Sequence, residues 1–267
     1  MSMQACAIRF IVARRAVCGP VFSLKALLWL AVSMLLLPVS TSSAASGDEV
    51  LAMMDRSSTR AKDQFFEYEL INTQAGREPK VMALKVHIKG ERRMTEFLAP
   101  GDMKGTKVLV RARSELYIYL PAYNKVRRVA SHSTKGGFLG TTYSNEDIST
   151  ITFAEVYSGS LLSEDESQWV VEAKPREGNK AIYGKLRFTI RKDYVQPSEI
   201  QYFNAKGEHI KTETRTEYSC QGDICNAGVM KMVDHSRGDA ATEFQRRQWE
   251  VNTGIEDSLF SKRNLQP

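Results

Sequence analysis

A chain of 267 residues with 37 Lys and Arg against 31 Asp and Glu carries a net charge of +6, a balance that raises the question of nucleic acid or an anionic membrane surface. Arg9, Arg14, Arg15 and Lys25 all lie in the first 45 residues, which hold no acidic residue, leaving 33 basic residues against 31 acidic, a net +2, for the rest. Nucleic-acid binding thereby loses its main support, and the remaining length suits one β domain with a sizeable core.

The four cations precede an uncharged apolar run, Ala26 to Leu37, and then Ser42, Ser43, Ala44, Ala45 and Ser46. This is the pattern of a secretory signal peptide, residues 1–45, cleaved near Ala44 or Ala45 and delivering residues 46–267 to the periplasm. The run is about a dozen residues, short of the roughly 20 that span a bilayer, although extension at both ends would make it a retained anchor. Cys6 and Cys18 precede the run, so no lipid-attachment cysteine follows it.

From Gly47 to about Lys62 the spacing predicts one amphipathic helix, with Val50, Leu51, Met53 and Met54 on one side and Asp48 and Glu49 in the first turn, where negative charge suits the helix dipole. The period then switches to two. Phe66, Tyr68 and Leu70, and Met82, Leu84, Val86 and Ile88 against Lys85, His87 and Lys89, read as strands with one wet face. Further strands are expected over 92–98, 106–113, 115–120, 126–131, 168–173, 182–190, 199–203, 209–218, 229–233 and 242–251. Turn signals such as Lys89-Gly90, Gly178-Asn179 and Lys206-Gly207 separate many of them, implying a meander folded into a large curved antiparallel sheet. Residues 131–160 break the pattern with a glycine-rich loop leading to a short helix capped by Ser144 or Asn145.

Cys220 and Cys225, spaced Cys-Gln-Gly-Asp-Ile-Cys, predict a disulfide stapling a hairpin in an oxidising compartment. Half a metal site or a redox pair would need partners that the sequence does not supply. His87, His132, His209 and His235 are scattered, and neither a zinc signature nor a nucleophile elbow nor a phosphate-cradling loop occurs, so no metal, cofactor or enzymatic activity is expected.

The stretch Phe97-Leu98-Ala99-Pro100-Gly101-Asp102-Met103-Lys104-Gly105-Thr106, followed by Leu116 to Pro121, Val126 to Val129 and Phe138-Leu139-Gly140-Thr141, resembles the outer-membrane lipoprotein-sorting family, relatives of the carrier LolA. The tail Asp257 to Leu265 agrees, and the motifs lie nearest an uncharacterised branch of that superfamily. The resemblance implies a mainly β (α+β) fold, an unclosed β-barrel of roughly eleven antiparallel strands over a few short helices, with an apolar concave face that receives acyl chains. It also implies a monomeric, non-catalytic periplasmic carrier of a lipid or lipoprotein, with a transporter of the resistance-nodulation-division type as a possible inner-membrane partner. The alternatives are an envelope sensor and an accessory docking subunit of such an exporter.

A carrier needs no catalytic group, because each buried methylene contributes about 0.8 kcal/mol. On the strand pattern the cavity lining is expected to be Phe66, Tyr68, Leu70, Leu84, Val86, Val108, Val110, Leu186 and Phe188, the competing reading being a plain core. Phe138 and Leu139, among the glycines of 136–140, are read either as a lid or as a plug of that core. Arg127 and Arg128 are candidates for acidic headgroups or a partner protein, against the reading of solvated surface.

Overall fold

The computed structural model describes residues 45–113, 115–129 and 137–266, so the leader, the lysine and glycine at 135 and 136, and the cleavage site at Ala44 lie outside the described residues. Ser46 opens the first helix, α1 (Gly47–Ser58), with a capping box: its side chain accepts from Glu49 N and the Glu49 carboxylate accepts from Ser46 N at 2.7 Å, satisfying two donors at the helix start. Val50, Leu51 and Met54 are buried. The helix stops at Ser58 rather than near Lys62, because the Thr59 hydroxyl and amide both turn back to the Asp55 carbonyl.

Fifteen strands follow among the described residues: β1 (Gln64–Thr73), β2 (Lys80–Lys89), β3 (Arg92–Ala99), β4 (Lys107–Ala112), β5 (Glu115–Leu120), β6 (Lys125–Val129), β7 (Tyr157–Glu164), β8 (Gln168–Pro175), β9 (Lys185–Arg191), β10 (Gln196–Phe203), β11 (His209–Thr216), β12 (Ser219–Gln221), β13 (Ile224–Asn226), β14 (Val229–Asp234) and β15 (Ala240–Val251). Thirteen of them form one curved, unclosed antiparallel sheet in the order β6-β5-β4-β3-β2-β1-β15-β14-β11-β10-β9-β8-β7, two more strands than the family resemblance implies. β1 pairs β2 on one side and β15 on the other, so the meander starts at the middle of its own sheet. β12 and β13 form a separate hairpin in which Cys220 and Cys225 face each other in register and are disulfide-bonded, as their spacing predicts.

The pairing of β1 with β2 places Phe66 opposite Val86, Tyr68 opposite Leu84 and Leu70 opposite Met82, which gathers the apolar set of both strands on the concave face. α1 crosses β7 and β8. There the backbones nearly touch, since a Cβ on Gly159 would sit 2.5 Å from the Gly47 carbonyl oxygen. The second helix, α2 (Asn145–Ser149), is capped by Ser144, whose side chain accepts from Asp147 N. Of the convex face, Met94, Leu109, Tyr117 and Tyr119 are covered by the tail residues Phe260 and Leu265. Among the described residues no helix is long and apolar enough to cross a membrane.

β7 is absent from the sequence reading, which gives residues 131–160 to a loop. Its Ser158-Gly159-Ser160 core has little strand preference, and the strand exists because Gly159 admits α1 and Tyr157 is buried beneath it.

Asp63 ties the start of β1 to the chain leaving β15: one carboxylate oxygen accepts from Thr253 N at 2.8 Å and the other from Gly254 N at 3.1 Å. Burial pushes this carboxyl up, but the donors from Thr253 and Gly254 outweigh it and hold it below the ordinary Asp value. Its contribution is therefore present above that ordinary value and lost as the pH falls through the lower folded one. Asp63→Asn is expected to cost about 1–3 kcal/mol at neutral pH. Urea unfolding at pH 7 and pH 3 checks this: the gap between variant and wild type closes at the acid end, and a gap that persists unchanged contradicts the assignment.

Candidate functional site

β1 and β2 bring their apolar residues to the concave face, and residues 138–157 pass across it. Between them lies a cavity of ≈ 240 Å³. Of the residues nominated from the strand pattern, Phe66, Tyr68, Leu70, Leu84, Val86 and Leu186 line it. Val108, Val110 and Phe188 do not; they are buried at 1%, 1% and 0% exposure and belong to the packed core. Strand alternation gives the correct face for these three but not the distance from the cavity axis, which depends on where the covering segment runs.

Phe138 is buried against the cluster around Phe66 and Tyr68 and forms part of the cavity wall, while Leu139, partly buried, packs on the same cluster. Hydrogen bonds fix this turn: Phe138 N to Tyr143 O, Thr141 Oγ1 to Phe138 O, and Asn72 Nδ2 to Gly140 O at 2.9 Å. In this structure both residues pack on that cluster. Arg127 and Arg128 are exposed on β6, with three strands between it and β2, and neither lines the cavity.

The rest of the wall comes from the covering segment and the far half of the sheet. Ile148 and Phe153 contribute apolar surface from the segment, Phe97 from β3 and Phe244 from β15. Phe244 meets Tyr68 and Tyr143 edge-on, with ring centroids 5.6 and 5.2 Å apart.

The cavity also has a charged side that the sequence reading missed. Arg93, Tyr143, Glu146, Asp147, Tyr183, Tyr202, Glu213 and Arg215 all reach it. Asp147 accepts from Lys211 Nζ at 3.1 Å and from the Tyr183 hydroxyl at 2.9 Å. Glu213 accepts from Arg215 Nε at 2.6 Å and from the Tyr202 hydroxyl at 2.9 Å, and Glu146 pairs with Arg113 at 2.7 Å. Burial pushes the Tyr183 and Tyr202 hydroxyls well above the ordinary phenol range, and the neighbouring carboxylates Asp147 and Glu213 push the same way, so both are neutral donors.

These groups escaped notice because β11 inverts the usual pattern: Lys211, Glu213 and Arg215 alternate with Thr212, Thr214 and Thr216, and the charged set is the inward one. In β3, Arg93 shares its phase with Phe97, and that was the available signal. A second, polar pocket of ≈ 410 Å³ shares Glu146, Thr150 and Ile151 with the first, so the covering segment is lined on both sides. Among the described residues no cluster of His, Cys, Asp and Glu is arranged to hold a metal ion.

A family model described as an uncharacterized protein matches residues 89–267. The chain belongs to that family. Its fold is that of the LolA superfamily, as the motif at Phe97 to Thr106 implies. A putative outer membrane lipoprotein-sorting protein domain from Vibrio parahaemolyticus is 26% identical at a TM-score of 0.71, over 80% of this chain and 97% of that one. A DUF1329 family protein from Desulfovibrio piger superposes with a TM-score of 0.75 at 23% identity, over 82% and 98% of the two chains. A LolA superfamily protein from Nitrosomonas europaea gives 0.68 at 16% identity, over 83% and 100%. No curated protein matches the sequence.

The Lys211 and Asp147 pair is nearly enclosed, its side chains 10% and 4% exposed. Removing one partner of such a pair strands a charge at a cost of about 3–5 kcal/mol. Lys211→Met is expected to destabilise the family member by that amount in urea unfolding, and Lys211→Met combined with Asp147→Asn to recover a large part of it. A double variant no better than the single one contradicts the pairing.

Proposed function

We propose that this family member is a non-catalytic carrier that holds acyl chains of a lipid or lipoprotein in the cavity between the concave sheet face and residues 138–157. The observation that carries the reading is the cavity itself, walled by Phe66, Leu70, Leu84, Val86, Phe97, Phe138 and Phe244, in a fold shared with the Vibrio lipoprotein-sorting domain at 26% identity. Apolar walls that meet no side chain on their open side lose both dispersion contacts and burial, and an acyl chain restores them at about 25 cal/mol per Å² of surface removed from water.

At ≈ 240 Å³ the cavity falls a little below the roughly 300–1,000 Å³ of most small-molecule sites. A single chain segment matches the space in this conformation, and a cargo with several chains requires the covering segment to withdraw. Phe138 and Leu139 sit on that segment, plugging the space when it is empty, and are the first contacts a larger cargo displaces.

A periplasmic location fits the export signal read at residues 1–45 and the oxidised Cys220–Cys225 pair, which persists outside the reducing cytosol. A monomer acting with a resistance-nodulation-division transporter at the inner membrane is the arrangement in which such a carrier receives its load, and the polar pocket behind the covering segment offers a place for a partner to act on that segment.

Native mass spectrometry of protein purified gently from periplasm, followed by organic extraction, tests the reading. A stoichiometric lipid or acylated peptide is expected. Leu84→Trp, which fills the cavity from its floor, is expected to lower uptake of an added acyl lipid by about tenfold or more, equivalent to about 1.4 kcal/mol, with the fold intact by circular dichroism. A clean apo mass with no uptake of added lipid sinks the carrier reading.

A further inference from the structure

The charged side of the cavity is unevenly balanced. Each carboxylate on the wall has a cation of its own: Glu146 has Arg113, Asp147 has Lys211 and Glu213 has Arg215. Arg93 is the cation left over. Its NH1 donates to the Ile148 carbonyl at 2.7 Å, its Nε is enclosed with no partner among the described residues, and the charged or ionisable groups that act on it are Tyr68 and Arg215 rather than any carboxylate. Burial and then the repulsion of nearby Arg215, against the opposing pull of Tyr68, depress its pKa below the ordinary guanidinium value. It nonetheless stays charged, since arginine holds its proton across the physiological range.

A half-buried guanidinium whose Nε is enclosed and unpartnered is costly unless an anion reaches it. One carbonyl dipole satisfies one of its five N–H groups and does not neutralise it. Elsewhere on the same wall, the Tyr143 hydroxyl is buried without a hydrogen-bond partner among the described residues, and burial raises it well above the ordinary phenol range, so it is a second, neutral donor lining the cavity. A purely apolar ligand leaves both groups unsatisfied. An acidic group at the end of an acyl chain meets the Arg93 guanidinium while its tail lies along Phe66, Leu84 and Val86.

We propose that Arg93 is an anion seat inside the cavity, and that the preferred ligand is an amphiphile with a singly charged acid group, a fatty-acid carboxylate or a lipid phosphodiester. This rests on the acyl-carrier reading and narrows it. With Arg113 and Lys211 standing behind the wall to neutralise Glu146 and Asp147, the unmatched charge is that of Arg93, which one negative charge on the ligand matches in the charge-assisted, bidentate pairing that arginine favours.

Displacement of a neutral fluorescent probe, N-phenyl-1-naphthylamine, from wild type, Arg93→Gln and Arg93→Lys tests this at neutral pH. The competitors are oleate against oleyl alcohol, and dioleoyl phosphatidylglycerol against dioleoylglycerol. Wild type is expected to prefer at least one acid over its neutral partner by about tenfold or more, the size of one charge-assisted hydrogen bond; which acid shows the preference distinguishes the carboxylate from the phosphodiester. Arg93→Gln is expected to abolish the preference, read as the ratio of acid to alcohol affinity within each variant, and Arg93→Lys to keep part of it. Equal affinities for acid and neutral ligands in wild type, or a preference that survives Arg93→Gln, overturns the anion seat and leaves the carrier standing. No binding of probe, acid or alcohol overturns the acyl-carrier reading and the seat with it.

Discussion

Alternation along β1 and β2 sets Phe66, Tyr68, Leu70, Met82, Leu84 and Val86 on one side of a sheet that curls without closing, and everything else in the molecule follows from how that side is kept from water. A closed barrel covers its inner face with its own strands. Here α1 covers the part near β7 and β8, and residues 138–157 cover the part near β1 and β2. The two coverings differ in kind. α1 is fixed by its capping box, by backbone contact at Gly47 and Gly159, and by Asp55 accepting from the amides of Phe153 and Ala154. The 138–157 segment has one short α-helix and is held by polar links along its length, at Thr142, Glu146, Asp147, Ile148, Phe153 and Ala154, and the cavity lies under it.

The polar groups beneath that segment are the second half of the design. A cavity meant only to fill with hydrocarbon gains nothing from Asp147, Glu213, Lys211, Arg215 and Arg93, because each costs desolvation that its partner only partly offsets. Asp147–Lys211 ties the segment to β11, Glu146–Arg113 ties it to the turn after β4, and Glu213–Arg215 lies within β11, while the tyrosines at 183 and 202 complete the hydrogen bonding of Asp147 and Glu213. Such a network specifies one arrangement more sharply than apolar contact does. Arg93 is the member without a carboxylate, and it faces the same space as the apolar wall.

How much of this was legible in the sequence differs by element. Strands whose one face is apolar, such as β1 and β2, announce themselves and their inward residues, and the Cys220 to Cys225 spacing gave the hairpin staple. β7 did not show, since its Ser-Gly-Ser centre is chosen for close approach to α1 rather than for strand preference. Val108, Val110 and Phe188 were placed on the correct face but not at the correct depth, because depth depends on the path of a covering segment with no periodicity. The charged wall was hidden by the ordinary expectation that charge faces water; in β11 the threonines face out and the charges in. The phase of Arg93 relative to Phe97 was the one local clue to it.

The central claim is that the concave face under residues 138–157 is where an acyl chain lies. Photo-crosslinking in the periplasm, with benzoylphenylalanine placed at Leu84 on the concave face or at Leu109 beneath the tail on the convex face, addresses it directly. The account predicts a lipid-mass adduct on the intact protein from position 84 and none from position 109. Adducts from both positions alike, or from position 109 alone, contradict it.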